Sequence, residues 1–174
     1  MQHWVFVGTK ADGREGGRSL PVLRMDAGSG ALALAHPDVA ALPAPSWLAL
    51  APDARFIYAV CRAEARGGAP ATGVGSDDPA DHFAVALAVD RARGTARELN
   101  RQRTGSIGPA HCGTDGRTLV TAQFVGGGVS AFGIRADGSL APAHQVIEHG
   151  AGSGAAGRGR RSHSARFHPS FTLL

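Results

Sequence analysis

Asn100-Arg101-Gln102-Arg103-Thr104-Gly105-Ser106-Ile107-Gly108-Pro109-Ala110-His111, followed by the strand-like run Thr118-Leu119-Val120-Thr121-Ala122-Gln123-Phe124, is the stretch on which the fold turns. It delivers one histidine straight out of a Gly-Pro turn, and its surroundings recur. Upstream, the apolar runs Ser46–Leu50 and Phe56–Val60 flank the turn Ala51-Pro52-Asp53-Ala54-Arg55, and Phe83–Val89 follows with the turn Asp90–Gly94. Around the quoted stretch, Ala110-His111-Cys112 and Thr118–Gln123 flank Thr114-Asp115-Gly116-Arg117, and Val129–Ile134 follows with the turn Arg135–Ser139. A third round opens at His163-Ser164-Ala165-Arg166-Phe167-His168-Pro169.

Arg55 and Arg117 are about 62 positions apart, and His111 and His163 about 52. A period of roughly 40 to 60 residues holding four short strands is the mark of β-propeller blades, small antiparallel sheets that cannot bury both faces alone. A β-sandwich is the competing all-β arrangement, but the repeated Pro-Asp-x-Arg and Thr-Asp-Gly-Arg turns before the second strand favour blades. The expectation is a single all-β domain over 1–174, a partial propeller of about three blades, each a four-stranded antiparallel sheet.

Working outward, Trp4–Val7 is a β-rich run ended by Gly8, and Ser19–Met25 with Ala31–Leu34 forms a hairpin around the turn Asp26–Gly30. Pro21 marks its strand as an edge or a bulge. Two irregular insertions, 64–81 and 150–162, interrupt the pattern without shifting its phase. Trp47 and Phe56 are expected in the core, whereas His36, His82, His144, His149 and His168 lack metal spacing and are expected in loops or at the surface.

Composition narrows the function classes. The 174 residues include 25 Gly and 10 Pro with 18% charged side chains, which suits short strands and tight turns rather than a helical bundle. The net charge of +4 leans toward anionic partners, but 6% aromatic residues, not interleaved with the arginines, argue against nucleic acid. Cys61 and Cys112 stand far apart, so they read as buried thiols rather than a zinc knuckle or disulfide framework. No apolar run approaches spanning length and the first residues lack a signal-peptide pattern, so no membrane role is expected and the cytoplasm is the default compartment.

Several motifs, in order, carry a resemblance: Phe6-Val7-Gly8-Thr9 before a Gly-rich loop, the run Pro45 to Val60, Asn100-Arg101-Gln102, Gly108-Pro109-Ala110-His111 and Ser162-His163-Ser164. Together they are similar to the lactonase family, the seven-bladed propellers of the bacterial 6-phosphogluconolactonase type, related to fungal carboxy-muconate cyclases. The resemblance implies hydrolysis of 6-phosphogluconolactone to 6-phosphogluconate in the pentose phosphate pathway, on a small anionic sugar lactone, with no metal or nucleotide cofactor. The chain is about half the length of such a ring, so a truncated, non-catalytic binding or scaffold module and a muconate-lactone cycloisomerase are the alternatives. Exposed blade edges would then favour self-association.

Ester hydrolysis needs a base for water, a donor for the developing oxyanion and positive charge for a phosphate. The resemblance assigns His163 as general base or lactone contact and His111 as its pocket-lining partner, both at the starts of inner strands. Ser164, Gln123 and Arg161 are the substrate-binding candidates. Arg160-Arg161, Cys61-Arg62 and Gln123 depart from the family pattern, and the turn between His111 and Asp115 is about two residues shorter than is usual there.

Overall fold

The computed structural model describes residues 2–9, 20–62, 78–149 and 161–168. Residues 63–77 and 150–160, most of the two expected insertions, lie outside them; of the first insertion, Pro79–Asp81 forms a single 3-10 turn capped by Asp78. Strands β1 (Gln2–Phe6), β2 (Val22–Asp26) and β3 (Leu32–His36) make one antiparallel sheet. Strands β4 (Pro45–Leu50), β5 (Phe56–Arg62), β6 (His82–Asp90) and β7 (Thr95–Arg103) make a second, in chain order. Strands β8 (Pro109–Thr114), β9 (Thr118–Gln123), β10 (Gly128–Ile134) and β11 (Leu140–Glu148) make a third in the same order. The chain is all-β, its sheets partial propeller blades, and among the described residues no helix is long and apolar enough to cross a membrane.

The near-continuous apolar character of β5 has a packing cause. Phe56, Tyr58 and Val60 face the third sheet, where they meet Cys112, Leu119, Phe132 and Leu140. Ile57, Ala59 and Cys61 point the other way, into a cluster with Leu20 and Leu42. A strand buried on both faces loses the alternation of a half-exposed one. Burial also pushes the Cys61 thiol up to about 12, and raises Cys112 as well, so both are protonated core groups.

Polar ties join the second and third sheets. Asn100, inside β7, accepts from Leu140 N at 2.9 Å and donates to Leu140 O at 2.8 Å, and Gln102 Nε2 adds a donor at 3.2 Å. Tyr58 donates to Gly138 O at 3.1 Å. The quoted Asn100–Gln102 motif is therefore a seam between blades.

Of the two expectations for Pro21, the irregularity holds and the edge does not: its strand is the centre of its sheet, Pro21 lies just before it and accepts from Val7 N at 3.0 Å, and a register shift follows between Val22 and Leu23. One local expectation is corrected. His82, expected at the surface, opens β6 and is fully buried, because the chain enters the strand there beneath Thr104, whose N–H donates to His82 O at 3.0 Å.

Candidate functional site

The site is built on two matching irregularities. In β8, Pro109 pairs with Gln123 and His111 with Ala122, leaving Ala110 as an extra residue; in β4, Pro45 pairs with Cys61 and Trp47 with Val60, leaving Ser46 as the extra one. Such a bulge turns the next side chain out of the regular alternation. Trp47 and His111 therefore occupy equivalent positions on strands that lie side by side, and their rings meet at 4.4 Å between centroids with a 39° tilt. Trp47, expected in the core, is 41% exposed: it covers the face of His111 instead.

The Gly-Pro turn before His111 is held from the neighbouring blade. Pro109 O accepts from Ser46 Oγ at 2.8 Å and from Arg62 Nε and Nη2 at 3.0 and 2.9 Å. Gly108 has φ 66°, and a Cβ there would fall on the Val125 side chain, 2.8 Å from its Cβ, so the tight approach requires glycine.

Residues 161–168 pass over this end of β8. Ala165 N donates to His111 Nδ1 at 3.4 Å, and a Cβ on Gly113 would lie 3.1 Å from Ala165 O. This segment forms no strand among the described residues, so His163 does not open one there as expected; it meets β8 at Ala165. His163 meets Phe124 edge-on at 5.3 Å, and the Arg161 guanidinium lies 5.0 Å from the centroid of the same ring. His111, His163 and Arg161 thus gather around Trp47 and Phe124, joined by Arg166, whose charge acts on His111.

The other two candidates sit differently. Ser164 is exposed on the same segment. Gln123 is fully buried, its amide nitrogen donating to Thr121 Oγ1 at 2.7 Å and Ser130 Oγ at 3.1 Å, in a network that runs on from Ser130 Oγ to Thr104 O. Those partners occupy its amide nitrogen inside the blade.

The electrostatics separate the two histidines. Desolvation, then the positive charge of Arg166 and then His163, lower the His111 pKa from the ordinary imidazole value. Its neutral form is favoured, and with Nδ1 accepting from Ala165 N the proton resides on Nε2. His111 thereby presents an N–H donor, suited to a carbonyl oxygen, whereas His163 is exposed to solvent water. Among the described residues, no group of three or more His, Cys, Asp or Glu side chains is placed to hold a metal ion. Sequence reasoning does not place Arg62 and Trp47 in the site: Arg62 enters it only as a departure from the family pattern at the end of a blade strand, and Trp47 only as a core aromatic just after Pro45-Ser46.

The model of the family described as lactonase, 7-bladed beta-propeller, matches residues 4–174. No curated protein sequence matches the chain. Among solved structures, it is similar to a candidate 6-phosphogluconolactonase of Bacteroides uniformis, with TM-score 0.73, 28% identity and coverage of 91% of this chain and 41% of that one. A candidate 6-phosphogluconolactonase of Bacteroides fragilis gives TM-score 0.68 and 29% identity over 84% of this chain and 36% of that one. The periplasmic gluconolactonase of Pseudomonas aeruginosa gives TM-score 0.63 and 29% identity over 86% and 39%. The chain thus spans well under half the length of these proteins. With its sheets paired as blades and nearly its whole sequence matched, the chain belongs to the seven-bladed β-propeller lactonase family.

Proposed function

We propose that this chain forms part of a hydrolase acting on a sugar-phosphate lactone, 6-phosphogluconolactone to 6-phosphogluconate. The observation that carries this reading is the meeting of His111, His163 and Arg161 at one end of β8, in a lactonase-family chain. In the proposed reaction His163 takes a proton from water as its oxygen bonds to the lactone carbonyl carbon. The His111 Nε2–H donates to the carbonyl oxygen as it gains negative charge. Collapse of that intermediate breaks the ring C–O bond, the ring oxygen takes a proton from His163, and a carboxylic acid forms that ionises in water. Arginines at this end offset the charge of the phosphate.

The test is pH-stat hydrolysis of 6-phosphogluconolactone by the folded chain, measured against the spontaneous rate. A rate above background that His163→Gln abolishes and His111→Gln lowers is expected; folded protein with no excess rate overturns the reading. Product binding without turnover would instead identify a binding module, and preference for a muconate lactone in a substrate panel would indicate the cycloisomerase.

A further inference from the structure

Arg62 stands apart from every other arginine among the described residues, because it alone is not exposed. Arg93 is paired with Asp90 at 2.8 Å, Arg101 grips Glu98 through a fork of 2.6 and 2.8 Å, and Arg55 lies 4.0 Å from Asp53. Half-buried Arg62 has no carboxylate within ion-pair distance among the described residues; it donates through Nε and Nη2 to the uncharged Pro109 carbonyl. Partly removing a cation from water without a counter-charge is unfavourable, and its pKa is lowered by that desolvation. The two bonds to Pro109 O hold the planar guanidinium in one orientation, with Nη1 engaged by no described residue. A guanidinium aimed in advance loses little freedom when it binds an oxyanion, and its fork matches phosphate oxygens. His111 lies two residues along the same strand from Pro109, across the bulge at Ala110, so the guanidinium that holds Pro109 O and the imidazole belong to the same end of β8.

We propose that Arg62 recognises the substrate's phosphate monoester, and so selects phosphorylated over unphosphorylated sugar lactones. This rests on the lactone-hydrolase reading of the same site. An incoming phosphate supplies a counter-charge that no described residue provides, while Ser46 Oγ and the Arg62 Nε and Nη2 donors keep the Pro109 turn in place.

The experiment compares wild type, Arg62→Gln and Arg62→Lys on 6-phosphogluconolactone and on unphosphorylated glucono-1,5-lactone, with thermal melts to confirm folding. Arg62→Gln should raise KM for the phosphorylated lactone about tenfold or more with kcat little changed, leave KM for the unphosphorylated one unaltered, and be partly rescued in Arg62→Lys. Equal losses on both lactones, or a fall confined to kcat, would show that Arg62 acts only by bracing the Pro109 turn and would overturn the proposal. If wild type hydrolyses neither lactone, titration calorimetry with 6-phosphogluconate and gluconate decides separately. A loss of about tenfold in 6-phosphogluconate affinity in Arg62→Gln sustains the assignment without the reaction. Equal affinity of wild type and variant, or no binding to wild type, overturns it.

Discussion

Trp47 and His111 follow the same bulge in neighbouring blades, and the indole of one lies 4.4 Å from the imidazole of the other. The two inner-edge strands thereby share one aromatic step, in which the exposed tryptophan shields the histidine from water. Removing the indole should restore solvent to the ring. In Trp47→Ala, NMR titration is expected to show the His111 pKa moving up toward the ordinary imidazole value, with about 1 kcal/mol of stability lost. An unmoved His111 titration would mean that the shielding comes from elsewhere.

His111 also predicts a pH dependence of stability. Its folded pKa is lowered, chiefly by desolvation, so the unfolded chain binds its proton more readily than the folded one. The stabilisation is complete above the ordinary value near 6.5 and is lost as pH falls through the lowered folded value. Urea unfolding across that acidic range should show wild type weakening more steeply than His111→Gln. Equal slopes would contradict the assignment.

The Asn100 clamp should behave as a structural element rather than a site residue. Asn100→Ala leaves Leu140 N without its side-chain acceptor, while Gln102 and Arg135 still serve Leu140 O. A loss of about 1–3 kcal/mol in denaturant unfolding is expected. KM and kcat should be unaltered in protein that remains folded; a selective change in KM would place Asn100 in contact with substrate.

Gly108→Ala should cost more than its size implies, since the residue has φ 66° and the added methyl would meet Val125. The expected destabilisation is about 1–3 kcal/mol, with the His111 resonances displaced. Adding Val125→Ala should recover only the share of the clash made by the valine γ-methyls, since the Val125 Cβ 2.8 Å away and the positive φ both remain, so full recovery would refute this account.

Self-association is a further expectation. Among the described residues β1 pairs only with β2, and Leu32, Leu34 and Leu50 are 57%, 63% and 58% exposed. Unpaired strand edges beside exposed leucines favour contact between copies. Analytical ultracentrifugation should show a weight-average mass that rises with concentration, and Leu32→Lys with Leu34→Lys should reduce it. A constant monomer mass at every concentration would refute this.

Much of the fold was legible because blade formation is written in local periodicity. The apolar run of β5, the Asp-containing turns and the recurrence of one strand order need only neighbouring residues to be read. Burial of both cysteines followed from their apolar settings. Pro21 left edge and bulge open, and His82 was misread as surface, because edge or centre, and surface or interior, depend on which strand the chain meets next. Trp47 was misread for the same reason: an aromatic residue after a bulge faces whatever the adjacent blade presents, here an imidazole.

The sequence by itself determined the all-β repeat, the strands and turns within each sheet and the family, and it offered His111 and His163 as candidates. Only the tertiary structure decided what those residues touch. Trp47 on His111, Arg62 and Ser46 on Pro109, Asn100 on Leu140 and the enclosure of Gln123 depend on the packing of separate strands and sheets. Periodicity says which face of its own sheet a side chain occupies. What lies opposite depends on bulges and on the approach of one blade to the next, set by the summed packing of the cores between them.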